Sequence, residues 1–243
     1  MRFLPVLLCL PAVWAADPGP RRVIAVDGWH NNEKQPHYRW DGAYNGGFSK
    51  LGTMLKGLGG ELRTITESVT AANLKGVDCL IAVDPDTPTE TANPQYWNAA
   101  EIAAVDKWVK GGGTLLLLGN DKGNAEFEHF NELATKFGVT FVEGRHATAT
   151  GVTRLRLKGP ANPVFEGSLE FYAVDVAPLK ITHARPEILL SESNVALMAV
   201  LKHGKGSVFA LGDPWLYDEY IATADNTRIG ENLLRYLLWT KKR

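Results

Sequence analysis

The chain has 243 residues, with 26 Lys and Arg against 27 Asp and Glu, a formal net charge of −1, and 45% hydrophobic and 22% charged side chains. These values describe an ordinary globular domain with enough chain to bury a sizeable core. The neutral balance supplies no basic field for a phosphate backbone, so nucleic acid is not an expected partner.

The first residues read as an export signal. Arg2 precedes an apolar run from Phe3 to Trp14, and Val13 and Ala15 occupy the minus-three and minus-one positions that signal peptidase reads as small side chains. Cleavage is expected after Ala15, with residues 1–15 as signal peptide and 16–243 as a single α/β domain. The run is roughly a dozen residues, short of the ~20 needed to span a bilayer, and no later apolar stretch reaches that length. A periplasmic or extracellular product with no membrane contact is the expectation. Cys9 comes too early, after too bulky a residue in Leu8, for a lipoprotein anchor. Without the leader Cys79 has no disulfide partner, and its neighbours Leu80 and Ile81 favour a small buried hydrophobe over a catalytic thiol.

Arg22 to Asp27 (RVIAVD) reads as a buried strand that stops abruptly at polar residues. A helix from about Phe48 to Leu58 follows, closed by Gly59 and Gly60. A shorter strand at Glu61 to Thr64 precedes a clear buried strand at Cys79 to Val83. Asn98 with Glu101 three residues on forms a capping-box pattern, and Ile102, Val105, Trp108 and Val109 recur on one helical face. Thr114 to Leu118 is the most apolar strand, and Phe127, Phe130, Leu133, Ala134 and Phe137 mark the next helix. This alternation implies a mainly parallel sheet with right-handed crossovers and helices on both faces, a flavodoxin-like or class I glutamine amidotransferase-like architecture. After about Val139 the spacing tightens. Thr153 to Leu157, Ile188 to Glu192, Ala196 to His203 and Ser207 to Leu211 are read as an antiparallel carboxyl-terminal portion. Gly204 to Gly206 turns a hairpin, and a closing helix runs from Ile229 to Trp239.

Four apolar strands end in polar runs: Asp27 to Glu33, Asp84 to Thr87, Gly119 to Asn124 and Gly212 to Glu219. Open α/β sheets bind ligands outside the carboxyl ends of their strands, so these runs are expected to share one edge. The candidate ligand contacts are Asp27, His30, Asn31, Asn32, His37, Asp84, Asp86, Asn120, Asn124, Trp215, Tyr217 and Glu219, and the candidate catalytic groups are Asp121, Asp213 and His129. Trp29, Trp40, Trp97 and Trp215 could offer flat faces to a sugar ring. Plainer roles stand beside these. Asn124 could simply cap the next helix, Asp84 to Pro88 could be a stiff turn, His129 could be a structural histidine, and Trp29 and Trp215 could be lids over the core.

HNNE (30–33), HYRWDG (37–42), VDPDTPTETANP (83–94), NDKGNAEFEHFN (120–131) and GKGSVFALGDPWLYDEY (204–220), with Asp225 and Asn226, resemble the domain found carboxyl-terminal to bacterial unsaturated rhamnogalacturonyl hydrolases of the family 88/105 type. The resemblance spans nearly all of the mature chain. This chain lacks the (α/α)-barrel that carries the hydrolase chemistry, so that activity does not transfer. More distantly it resembles class I glutamine amidotransferase-like domains, DUF4350-like among them. Where those enzymes present a Gly-x-Cys-x-Gly elbow, this chain has Gly119, Asn120, Asp121, Lys122 and Gly123. The resemblance therefore implies a lost amidotransferase. The first functional expectation is an accessory module that binds pectin-derived saccharides, alongside pectin-degrading glycoside hydrolases. The second is an independent hydrolase in which Asp121 at the elbow is a nucleophile or, with Asp213 or Asp84, half of a general acid/base pair, and His30 or His129 moves protons. The third is a divalent ion, calcium, on Asp27, Asp84, Asp86, Asp121 and Asp213, which no EF-hand or HExxH spacing supports; no other cofactor is expected.

Overall fold

The computed structural model describes residues 20–33, 37–41, 45–146, 152–157 and 162–240. The expected signal peptide lies outside them. Strand β1 (Arg22–Asp27) leads into α1 (Ser49–Gly57), β2 (Gly60–Ile65) and β3 (Cys79–Val83). Helix α2 (Ala99–Lys110), β4 (Thr114–Leu118), α3 (Phe127–Thr135) and β5 (Val139–Phe141) follow. The second half contains β6 (Val152–Arg156), β7 (Glu170–Val174), β8 (Leu179–Ile181), β9 (Glu187–Glu192), β10 (Val195–His203), β11 (Gly206–Leu211) and α4 (Asn226–Leu234).

The sheet runs β2-β1-β3-β4-β11-β10-β8-β5, with β9 also paired to β10. The first five strands are parallel and the rest antiparallel, while β6 and β7 form a separate hairpin. The sequence placed β11 in an antiparallel tail. It does pair antiparallel with β10 through the hairpin at Gly204 (φ +59), yet its other edge is the fifth parallel strand, register Ser207 to Thr114 through Leu211 to Leu118. Six consecutive buried residues, GSVFAL, need cover on both faces, and the sheet centre provides it.

Alternation along each strand divides the core in two. Ile24, Val26, Ile81, Leu116 and Phe209 face α1 and α4, whereas Ala25, Leu80, Leu115, Leu117 and Val208 face α2 and α3. Helix α2 starts where the capping box predicts: Asn98 Oδ1 accepts from the Ala100 and Glu101 amides, and Glu101 accepts from the Asn98 amide. The closing helix begins three residues earlier than expected and widens over Arg235–Trp239, where the Thr240 amide reaches back to the Arg235 carbonyl at 2.9 Å.

Candidate functional site

Strand order 2-1-3-4 followed by β11 makes the β1/β3 boundary the switch point of the sheet, because the chain leaves β1 toward one face and β3 toward the other. All four polar runs follow carboxyl ends of parallel strands, so they share this edge as the sequence implied. The edge divides into a buried inner row and a half-exposed outer row.

Asp27, at the end of β1, accepts from the Trp29 and His30 amides and from His30 Nδ1 at 2.7 Å. His30 Nε2 faces Glu101 Oε2 at 3.5 Å, and its ring stacks on Trp97 with centroids 3.9 Å apart. Burial disfavours the charged ring, but Asp27 and then Glu101 outweigh it and raise its pKa to about 9. His30 is therefore an imidazolium held between two carboxylates in the interior, only 1% exposed. This corrects the expectation that it meets ligand or relays protons. Asn31 is equally enclosed; its amide donates to the Asp84 carbonyl at 2.8 Å and its Oδ1 has no partner among the described residues.

Asp84 follows β3 with φ +44, a left-handed backbone uncommon for a residue with a side chain. Its Oδ2 accepts from Asn120 Nδ2 at 3.1 Å, its buried Oδ1 has no partner among the described residues, and the Tyr38 phenol lies against the carboxyl. Burial, reinforced by the nearby charge of Glu90, holds this carboxyl well above the usual range. Asp86 accepts from the Asn32 amide at 2.5 Å, and burial pushes it up to about 6. Asp84 to Pro88 is thus more than a turn. Across β4, Asp213 accepts from the Trp215 and Val174 amides at 2.5 and 3.3 Å, and burial raises it to about 7. The glycine before it permits close contact: a Cβ on Gly212 would stand 1.9 Å from the Ala177 carbonyl oxygen.

The outer row contains Asn32, His37, Asn120, Asp121 and Tyr217, all half-buried, with Asn124 and Glu219 exposed. His37 pairs with Glu33, and Asn32 Nδ2 donates to the Trp29 carbonyl at 2.9 Å. Tyr217 meets Tyr38 and Tyr220 edge-on at 5.7 and 5.0 Å, bridging the two halves of the edge. Burial raises Asp121, and Asn124 Nδ2 bonds its Oδ1. Asp121 is absent from the positive-φ residues, so it is not presented on a strained elbow; of the residues that directly follow the five parallel strands, it is Asp84 that has the left-handed backbone.

Several expectations are corrected. Trp215 is fully buried, packed on Phe171, and Trp97 is only 1% exposed, so neither can stack on a sugar; Trp29 and Trp40 are half-buried. Glu126, not Asn124, caps α3 by accepting from the His129 amide. His129 pairs with Glu126 at 3.1 Å and stacks on Tyr96 with centroids 4.5 Å apart. Among the described residues, Glu126, Glu128 and His129 are the group whose ligand atoms converge within 4.8 Å; the five aspartates considered for calcium are not gathered around one ion position. Cys79 opens β3, at the opposite end of the strand from this edge, and is fully buried, so it is no substitute nucleophile. Sequence reasoning missed Tyr38, Arg39, which donates to the Gly28 and Asn31 carbonyls, and the second role of Glu101. Tyr38 and Arg39 stood inside the HYRWDG motif, which was the available signal.

The family model for a domain of unknown function, DUF4350, matches residues 43–234, and the chain belongs to that family. No curated protein matches it in sequence. Among solved structures, the mmIFT52 N-terminal domain is similar at TM-score 0.71 and 17% identity, over 91% of this chain and 99% of that one. A ThuA-like protein from Bacteroides uniformis is similar at 0.53 and 16%, over 96% and 97%, and a GMP synthase subunit from Thermoplasma acidophilum at 0.51 and 14%, over 88% and 93%. A β-galactosidase from Bacillus circulans sp. alkalophilus contains the fold in 31% of its chain, at 0.54 and 12%, over 90% of this one. At these identities the likeness shows the fold, which is amidotransferase-like.

Proposed function

We propose that this DUF4350 chain is an exported saccharide-binding module. It holds rhamnogalacturonan-derived fragments at the carboxyl edge of its sheet, serves pectin-degrading glycoside hydrolases, and transfers no amide. The observation that carries the reading is unmatched hydrogen-bonding capacity at the switch point. Asn31 Oδ1 and Asp84 Oδ1 are buried polar atoms without partners among the described residues, near the Tyr38 phenol and the half-exposed residues Asn32 and Asn120. Each such atom costs about 1–3 kcal/mol unless water or ligand meets it. A sugar hydroxyl both donates and accepts, so it suits an edge that mixes amide, phenol and carboxyl groups. The resemblance to a hydrolase-attached domain adds to this, as does the occurrence of the fold within a β-galactosidase. Half-buried Tyr217 supplies aromatic surface at this edge, with the enclosed Tyr38 packed edge-on against it.

A second reading rests on Asp213. A buried carboxyl that is half protonated near pH 7, with the raised Asp121 interacting with it, has the electrostatics of a general acid beside a second carboxylate. One experiment separates the two. The purified protein is mixed with a rhamnogalacturonan digest, melting is followed with and without the digest, and the sugars are weighed by mass spectrometry. Binding predicts a raised Tm, lost in Asn120→Ala, with sugar masses unchanged. New product masses abolished by Asp213→Asn would establish the hydrolase instead, and no Tm shift removes the saccharide reading.

A further inference from the structure

A cavity of about 810 Å³ lies away from the switch point, at the amino ends of the strands. Arg22 opens β1, Asp78 immediately precedes β3 and Thr114 opens β4, and all three line it. Its floor is apolar, from Leu74, Val77, Trp108, Leu237 and Leu238. The last two come from the widened turn after α4, a helical irregularity that often accompanies function. The Trp108 ring is fixed by its Nε1 bond to the Val77 carbonyl at 3.1 Å and by Gly113, where any Cβ would stand 2.4 Å from the indole.

The charges here are one-sided. Arg22, Lys75, Lys107 and Lys205 line the cavity against the single carboxylate of Asp78 among the described residues. The lysines are exposed, but Arg22 is 7% exposed; it donates to Asp78 Oδ1 at 3.1 Å, and its buried Nε has no partner among the described residues. A buried guanidinium with a donor unmet, facing an apolar chamber, is arranged for an acceptor from outside the chain.

We propose that this cavity is a second binding site, independent of the carboxyl edge, for an organic anion with an apolar body: a carboxylate-headed aliphatic or aromatic molecule whose head meets Arg22 and the lysine rim while its body fills the chamber. The volume lies in the usual range for small-molecule sites, roughly 300–1,000 Å³. Asp78 offsets one of the four cations, and the anionic head group meets part of the remaining positive excess.

The test uses 8-anilinonaphthalene-1-sulfonate as fluorescent probe on the folded protein well below its Tm, displaced by dodecanoate or by neutral dodecanol. One saturable site is expected, displaced by dodecanoate at least about tenfold more readily than by dodecanol. The double variant Lys75→Glu/Lys107→Glu, altered only at exposed positions, should bind the probe about tenfold more weakly with Tm essentially kept. Ala104→Phe, which projects a ring into the chamber from α2, should abolish binding. Absence of saturable binding, equal displacement by alcohol and acid, or indifference to both sets of substitutions would overturn the proposal. None of these outcomes bears on the saccharide reading.

Discussion

Replacing Asp213 by Asn tests whether the carboxyl edge holds a proton near neutrality. The folded carboxyl titrates near 7 because it is buried, against an ordinary value of 3.8. The folded value is the higher one, so between about pH 4 and 7 the native state keeps a proton that the unfolded chain has lost. Stability therefore falls as pH rises through that window and levels off above 7. At about 1.36 kcal/mol per unit, the whole displacement amounts to about 4 kcal/mol. Between pH 5 and 8 only the interval from 5 to 7 is expressed, which is about 3 kcal/mol. Asparagine keeps an oxygen for the Trp215 amide, bonded at 2.5 Å in the parent, and cannot ionise. Urea denaturation of both proteins at pH 5 and pH 8 should show the stability difference moving by about 3 kcal/mol in favour of the variant as pH rises. Movement below about 1 kcal/mol would mean that Asp213 ionises as a solvated carboxylate does, and the general-acid reading would go with it.

His30→Leu should destabilise the protein by about 3–5 kcal/mol at pH 7 in the same denaturation assay, because Asp27 and Glu101 would face each other without their cation. The parent His30 contribution is fully present below pH 6.5 and lost as pH climbs through about 9, so the parent should lose stability over that window with a slope the variant lacks. Trp215→Ala should cost about 3–5 kcal/mol of folding stability, as a core truncation does; a selective loss of sugar binding at unchanged stability would return Trp215 to the surface. Asn120→Ala should leave Tm within a few degrees while weakening oligosaccharide binding about tenfold by calorimetry. Asn98→Ala, which breaks the capping box, should lower stability by about 1 kcal/mol.

Secondary structure was legible wherever burial and capping act locally. The runs RVIAVD, CLIAV and TLLLL are strands at the expected places, and Asn98 with Glu101 opens α2. The shared edge was also legible, because parallel strands must point their carboxyl ends the same way. What escaped were properties that depend on neighbours distant in the chain. Trp215 looks like a surface platform in GDPW, yet a left-handed backbone (φ +44) accompanies a side chain packed against Phe171 of β7. Asp121 occupies the elbow position of the motif, but the residue that leaves a parallel strand with a left-handed backbone is Asp84, one strand away.

The amino-acid sequence by itself determined the α/β class, the parallel core and the edge on which its polar residues gather, since periodicity and strand polarity are properties of contiguous residues. Only the tertiary structure decided that the last strand lies at the sheet centre, that His30 is locked between Asp27 and Glu101, and that Asp84 and Asp213 are enclosed acids. Desolvation and ion pairing depend on what surrounds a group in space, and residues as distant in the chain as His30 and Glu101 meet only when the sheet has been assembled between them.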